Sequence, residues 1–444
     1  HRLFFARRGG LTRSRHKAII RNGFLLFQFY RRAPKGAEGK EKGMQSVVRV
    51  VLVGVGGYAL TYLKKLLDPQ CDLPVKLVGG VDPFAKNSPV YNELVAAGVP
   101  LYDTVEDFYR EQEADLAIIA TPIQLHAGQS IYCMEHGSDV LCEKPVCAVI
   151  DDVQRMIEAR DRTGKRLAIG YQWSYSTAVQ RLKQDVLSGR YGRPLRMKTI
   201  VLWPRDREYY RRGSGWAAHK KNARGEWILD SVAANATAHY LHNMLYVAGN
   251  QVDRSARVEK IKVETYRANQ IEMFDTCAMR LRTAEDTEML YLVAHPIARS
   301  GARNPEFIYE FENGTVSCKA DEHMVRGVLS DGTQLLYGDP NADQTRKMAW
   351  MIATMQEKTP VLCGPEAASE HTKCINKIEE LIPETPFFPA EKIKEDGELV
   401  YCAGLDAVLG RCYAEEKLPS ELGVPGFGPA REGALGDYRH FAGV

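Results

Sequence analysis

The sequence predicts an α/β protein: an N-terminal doubly wound parallel sheet, then an α/β domain whose open sheet is mostly antiparallel. Three observations carry this. Short β-branched runs alternate with amphipathic helical stretches up to residue 170. A glycine-rich turn stands between the first such run and the first helix. Beyond residue 170, alternating stretches follow one another with few helices between them.

In order, Val47 to Val53 is an apolar run, Leu60 to Leu67 has helical spacing, and Val75 to Val81 is a second run. Helix at Ser88 to Ala97, strand at Leu116 to Ala120, helix at Gln129 to His136, strand at Val140 to Cys142, helix at Asp151 to Arg162 and strand at Arg166 to Gly170 continue the pattern. Apolar strands alternating with helices imply a parallel sheet covered on both faces. Then come a helix at Thr177 to Leu187, a turn at Gly192 to Pro194, and alternating stretches at Arg257 to Tyr266, Cys277 to Arg282, Glu288 to His295 and Glu306 to Glu312. Helical spacing returns at Asp343 to Lys358, Pro365 to Glu380 and Leu405 to Glu416. The expected division is a leader over 1–43, a nucleotide-binding domain over 44–170, a substrate and oligomerisation domain over 171–390, and a C-terminal helix and tail over 391–444.

With 444 residues, 45% of them hydrophobic and 26% charged, the chain is long enough for two packed domains. No apolar run approaches the roughly 20 residues that span a bilayer. The net charge of +3 is unevenly spread: residues 1–43 hold 12 Lys or Arg against 2 Asp or Glu, and the remainder is net acidic. That distribution excludes a basic nucleic-acid-binding body. The leader fits a transit peptide, or translation of a purine-rich upstream stretch that makes it non-native, better than a secretory signal, and is expected to be disordered. The ten cysteines form no CxxC pair. They are expected to be free, buried and in a reducing cytoplasm, with no metal site.

The string Val53-Gly54-Val55-Gly56-Gly57-Tyr58-Ala59 follows a strand and opens a helix, the context in which GxGxx(G/A) marks a dinucleotide-binding Rossmann turn. Gly54 allows the tight turn, Gly56 the approach of a pyrophosphate, and Ala59 close packing of helix on strand. Asp82 ends the second strand, placed to accept hydrogen bonds from an adenosine ribose; it favours NAD, with NADP possible because Lys86 is near. Thr121-Pro122, His126 and Glu143-Lys144-Pro145 follow later strands and are expected in the same crevice, since ligands of parallel sheets lie at the carboxyl ends of the strands.

In this order of motifs, completed by His239, the chain resembles the glucose-fructose oxidoreductase, inositol dehydrogenase and MocA (Gfo/Idh/MocA) family over roughly residues 47–381. The resemblance implies NAD(P)-dependent hydride transfer to or from a sugar, cyclitol or related polyol, in a homodimer or homotetramer. It implies Lys144 as the residue nearest nicotinamide and substrate hydroxyl, with Tyr58, Thr121, Pro122, His126 and Glu143 on the cofactor. The family's helix commonly shows Asp four residues before His; here that position is Asn235. Residues four apart share a helix face, so Asn235 and His239 are expected to address one ligand, with His239 as general base. His242 is expected to be structural. In the loop from Trp203 to Trp227, Arg205, Tyr210 and Trp216 are candidates for a substrate clamp, joined by Gln172 and Tyr175. Two other readings compete: a glycosidase using NAD transiently, which would release no reduced cofactor, and a non-catalytic dinucleotide-binding regulator.

Overall fold

The computed structural model describes residues 46–212 and 215–443, so the expectations for the leader lie outside the described residues. The N-terminal part runs β1 (Val48–Val53), α1 (Ala59–Leu66), β2 (Val75–Val81), α2 (Tyr91–Ala96), β3 (Leu101–Tyr102), α3 (Val105–Glu111), β4 (Leu116–Ile119), α4 (His126–Glu135), β5 (Asp139–Cys142), α5 (Ile150–Thr163) and β6 (Leu167–Ile169). These strands form one parallel sheet in the order β3-β2-β1-β4-β5-β6. The order reverses between β1 and β4, which opens a crevice at their carboxyl ends. Every residue of β4 and β5 is buried, as expected of strands covered on both faces. The short β3 and α3 went unread in the sequence; Thr104 caps α3 by accepting from Asp107 N.

The chain continues with α6 (Thr177–Leu187), β7 (Pro194–Leu202), the short α7 (Arg207–Tyr210), a π-helical turn at Val232–Ala236, α8 (Ala238–Ala248), β8 (Val258–Tyr266), β9 (Thr276–Thr283), β10 (Glu288–Ala294), β11 (Arg303–Phe311), β12 (Gly314–Cys318), β13 (Val325–Leu329) and β14 (Gln334–Gly338). Then follow α9 (Arg346–Glu357), α10 (Pro365–Leu381), the hairpin β15 (Ile393–Asp396) and β16 (Leu399–Cys402), α11 (Leu405–Glu415) and β17 (Arg431–Ala434). The second sheet has nine strands in the order β14-β13-β12-β11-β7-β10-β9-β8-β17, with only β7 and β10 parallel. At Pro194 the sequence shows a turn, yet it begins the central strand β7. The last four residues of β7 are all buried, so the strand lacks the alternation that marks a half-exposed one.

Two features of the C-terminal third bear on the site. Helix α9 leaves the second sheet and sends Met348, Met351 and Ile352 into the core formed by Val50, Leu52, Leu116 and Ile118 of the parallel sheet. The segment after residue 386 covers one face of the nine-stranded sheet, where Leu405, Leu409 and Cys412 pack on Leu290, Leu292 and Ile200. Side chains alternate along β10, so Tyr291 points the other way and donates to the backbone O and Oγ1 of Thr237 just ahead of α8, each at 2.7 Å. Among the described residues, no helix is long and apolar enough to cross a membrane. All ten cysteines are free, nine of them buried, as expected.

Leu409 is fully buried against the sheet. Leu409→Ala should therefore cost roughly 2–5 kcal/mol in urea unfolding. A loss well under that range would mean that α11 does not form part of the cooperative core.

Candidate functional site

The glycine turn is set by sterics. Gly54 has φ +87°, and a Cβ there would lie 2.7 Å from the Ala120 carbonyl oxygen at the end of β4. Only glycine fits so close an approach in that conformation. Gly57 is also left-handed, at φ +54°, whereas a Cβ on Gly56 or Gly57 would meet nothing within 4 Å. Helix α1 starts without a side-chain cap, so its first N–H groups are available to an anion. Asp82 is half-buried, and its carboxylate accepts from Val55 N at 3.1 Å and Phe84 N at 2.9 Å, tying the end of β2 to the turn. Open space over the glycines, an uncapped helix start and a fixed carboxylate fit the diphosphate and ribose of a dinucleotide. Thr121 and Pro122 border the same edge of the sheet, with Thr121 Oγ1 donating to Gln129 Oε1 at 2.6 Å.

Two residues expected on the cofactor are instead internal. His126 is 1% exposed, its Nδ1 lying 2.9 Å from Pro145 O and its Nε2 2.9 Å from Thr121 O. It fastens the loop after β5 to the loop after β4 and has no nitrogen left for a ligand. Glu143 is buried as well. Its carboxylate accepts from Tyr62 Oη at 2.6 Å and is ion-paired to Lys347 of α9, whose side chain is fully buried. A carboxylate expected to touch cofactor thus serves to hold a helix.

Lys144 faces the other way. Its Nζ donates to Asn235 Oδ1 at 2.7 Å and to Asn235 O at 2.9 Å. Asn235 Nδ2 in turn donates to Asp230 Oδ1 at 2.8 Å, and Asp230 Oδ2 accepts from Ala218 N at 2.8 Å and from Arg212 at 3.1 Å. Asn235 therefore transmits the position of a buried carboxylate to the amine. Burial pulls the Lys144 pKa down to about 8, against the opposing pull of Glu143 and Asp230. Asn235 and His239 do not share one regular helix: the π-helical turn ends at Ala236, and α8 begins at Ala238. Ser231 caps that turn by accepting from Ala234 N at 3.1 Å.

His239 and Lys144 line a cleft of about 400 Å³ together with Tyr58, Gln172, Trp203 and Asn341. The ring of His239 meets Tyr171 edge-on, and its Nδ1 is buried without a hydrogen-bond partner. Burial, then the cations Lys144 and Lys347, hold its pKa well below the ordinary value. His239 is thus a neutral imidazole and a weak base. His242 is buried, with Nε2 at 2.9 Å from Ser174 Oγ, in keeping with a structural role.

The remaining substrate candidates separate. Gln172 is in the cleft, its Oε1 accepting from Tyr58 Oη at 2.9 Å. Tyr175 is not: it is 1% exposed and donates to Cys363 O at 3.0 Å, so it packs inside. Arg205 stacks 5.4 Å from the ring of Trp203 and 5.0 Å from that of Tyr209. Trp216 lies under Arg212 at 5.0 Å, and Tyr210 lines a separate cleft with Arg207 and His219. None of these three belongs to the wall around Lys144. Lys347 carries no sequence signal as a site residue, and Asp230, which a shifted register would pair with Ala234 at the cost of the His, instead joins the site through Asn235, by a contact that is not a helical one.

Comparisons with known proteins bear on the nucleotide-binding part and on the fold. Residues 48–171 match the family model GFO_IDH_MocA, described as an oxidoreductase family with an NAD-binding Rossmann fold. A 1-carboxy-3-chloro-3,4-dihydroxycyclohexa-1,5-diene dehydrogenase of Comamonas testosteroni is 30% identical over 149 residues, 33% of this chain and 36% of that protein. Inositol 2-dehydrogenase of Salmonella paratyphi B is 28% identical over 145 residues, 32% of this chain and 43% of its own length. The match thus spans less than half the length of these relatives. Among solved structures, the WlbA dehydrogenase of Bordetella pertussis, in complex with NADH and UDP-GlcNAcA, superposes with TM-score 0.60 at 22% identity over 75% of this chain and 95% of its own. An oxidoreductase of Agrobacterium radiobacter, in complex with NAD+, L-tartaric acid and magnesium, gives TM-score 0.61 at 14% identity over 74% and 94%. At such identities the likeness establishes the fold.

Gly54→Ala should abolish NAD binding in a calorimetric titration and lower stability, because the added Cβ collides with the Ala120 carbonyl in a backbone conformation alanine resists. Unchanged affinity would show that the turn does not hold the cofactor.

Proposed function

Taking as premise that residues 48–171 are an NAD-binding Rossmann domain of the Gfo/Idh/MocA oxidoreductase family, we propose that this chain is an NAD-dependent oxidoreductase that interconverts a hydroxyl and a carbonyl on a sugar, cyclitol or related polyol. The observation that carries the reading is the hydrogen bonding of Lys144, whose amine is fixed by both oxygens of Asn235 and lines the same cleft as His239.

A neutral lysine has two N–H bonds and one lone pair. With both donors committed to Asn235, the lone pair is left for the cleft, where it accepts the proton of the substrate hydroxyl. The nicotinamide, when bound, supplies the hydride acceptor. As the hydroxyl carbon loses hydride, its oxygen loses the proton to Lys144 and becomes a carbonyl. In the reverse direction the protonated Lys144 stabilises the developing alkoxide and returns the proton. With a pKa near 8, the amine exists in both forms around neutrality, which suits a group working in both directions. His239, neutral throughout this range, hydrogen-bonds and orients the hydroxyl, so the principal base is Lys144. Asp82, negatively charged next to the ribose position, opposes a 2′-phosphate and supports NAD over NADP.

Lys144→Met should lower kcat for polyol oxidation by roughly 100- to 10,000-fold, followed by absorbance of reduced nicotinamide across a panel of sugars and inositols. Retained activity would remove Lys144 from the reaction. Because oxidation needs the deprotonated amine, kcat/KM for the alcohol should rise as pH passes upward through about 8 and level off above it, while carbonyl reduction should decline over the same interval. A pH-independent rate across that window would contradict the assignment.

A further inference from the structure

Lys144 stands between two ion pairs. One belongs to its neighbour in the chain: Glu143 is bound by Lys347 of α9, with both side chains buried. The other lies beyond Asn235, where Arg212 Nη2 reaches Asp230 Oδ2 at 3.1 Å. The Asp230 side chain is 4% exposed, so its charge must be compensated inside the protein.

Arg212 is fixed from several sides. Its Nη1 donates to Tyr209 O at 2.7 Å, and its guanidinium lies 3.7 Å from the centre of the Tyr209 ring and 5.0 Å from that of Trp216. A planar guanidinium suits such stacking. With these contacts made inside the protein, and no place in the wall around Lys144, it is not a receptor for a ligand of that cleft. Around Asp230 the backbone is left-handed at two buried residues that are not glycine. Ala218, whose N–H donates to Asp230 Oδ2, has φ +59°, and Leu229 has φ +51°. Such conformations are unfavourable for residues with a side chain and persist where the surroundings impose them. Here both flank one carboxylate.

Charges in a low-dielectric interior act on a neighbouring amine across several hydrogen bonds. Burial is the largest influence on Lys144 and favours the neutral amine; Glu143 and Asp230 oppose it, while Lys347 and Arg212 act with it. Burial also holds the imidazoles of His239 and His371 below their ordinary pKa, so both are neutral. Among the described residues that line the cleft, Lys144 is the one Lys, Arg, Asp or Glu, and His323 is exposed. The cleft amides meet neutral donors: Asn341 Oδ1 accepts from Trp173 Nε1 at 2.8 Å, and Asn304 Oδ1 from Trp203 Nε1 at 3.3 Å. The two ion pairs therefore supply the fixed charges that bear on the amine.

Resting on the polyol oxidoreductase reading, we propose that Arg212 is a positioning residue for Lys144: acting through Asp230 and Asn235, it offsets a carboxylate that on its own would keep the amine protonated. Lys144 is thereby left free to serve as a base near neutrality.

The test removes one charge at a time and keeps the hydrogen bonds. Arg212→Gln retains a donor for Asp230, and Asp230→Asn retains an acceptor for Asn235. The neutral fraction of Lys144 is read in the full chain from the rate at which acetic anhydride labels that residue between about pH 6 and 10, measured by mass spectrometry of its peptide. Arg212→Gln should move the midpoint up by about half a pH unit and Asp230→Asn down by about one, with the double variant returning close to the parent value. Arg212→Lys, which keeps the charge, should leave the midpoint in place. A role confined to stability would lower the yield of folded protein without moving the midpoint in opposite directions. Shifts of equal or reversed sign, an unmoved midpoint, or loss of fold in both single variants overturns the proposal; if one of the two folds, the sign of its shift decides. Hydride transfer measured separately keeps the two readings apart. Opposed shifts with no transfer to any polyol defeat the proposed function alone, and transfer with an unmoved midpoint defeats this inference alone.

Discussion

The buried ion pair between Glu143 and Lys347 is the constraint on which the geometry of the cleft depends. A carboxylate and an ammonium taken out of water are costly unless their remaining hydrogen-bonding capacity is met. Here it is met: Glu143 also accepts from Tyr62, and Lys347 also donates to Tyr58 and to the carbonyl of Gly170. Gly170 must lack a side chain, since a Cβ there would come within 2.9 Å of the Glu143 carboxylate. The pair fastens α9, which follows the edge strand β14 of the second sheet, to the end of β5, and its two neighbours then fall into place. Lys144, the next residue along the chain, points out toward Asn235, and Tyr58 is aimed at Gln172.

From that fixed point the polar groups of the cleft are ordered in chains rather than singly. Asp230 orients Asn235, which orients Lys144; Lys347 orients Tyr58, which orients Gln172; two indoles orient two asparagines. The first two chains begin at groups buried in the protein and end at side chains on the cleft wall, whereas the indoles line the cleft themselves. Such preorganisation limits the reorganisation needed when a ligand arrives, the condition under which electrostatic assistance to a reaction is greatest. The amide of Asn235 is itself held by the carboxylate of Asp230, one hydrogen bond further back.

Much of this was legible along the chain. The alternation of strand and helix up to residue 170, the glycine turn, and the positions of Lys144 and His239 depend on local periodicity and short-range sterics, which a sequence displays directly. The misreadings share a different origin. His126 and Glu143 sit beside true cleft residues, and only their packing reveals that they turn inward. Tyr175 looks like a cleft residue by its place after β6 but is directed into the interior, to Cys363. Strand β7 shows no alternation because both of its faces are covered at its end. Arg205 and Trp216, which have the composition of a sugar clamp, are occupied with neighbouring aromatic and cationic groups.

The sequence by itself determined where a dinucleotide turn must form, because a left-handed glycine pressed against the strand behind it is a local requirement. It also determined that one lysine follows a buried strand at the edge where ligands gather. Only the tertiary structure decided what that lysine touches, since its partner Asn235, and the Asp230 that holds Asn235, are positioned by a π-helical turn and a long loop that no periodicity announces. It likewise decided which atom of each side-chain amide is engaged within the protein, because donors and acceptors become distinguishable only once their neighbours, far apart in the chain, are in contact.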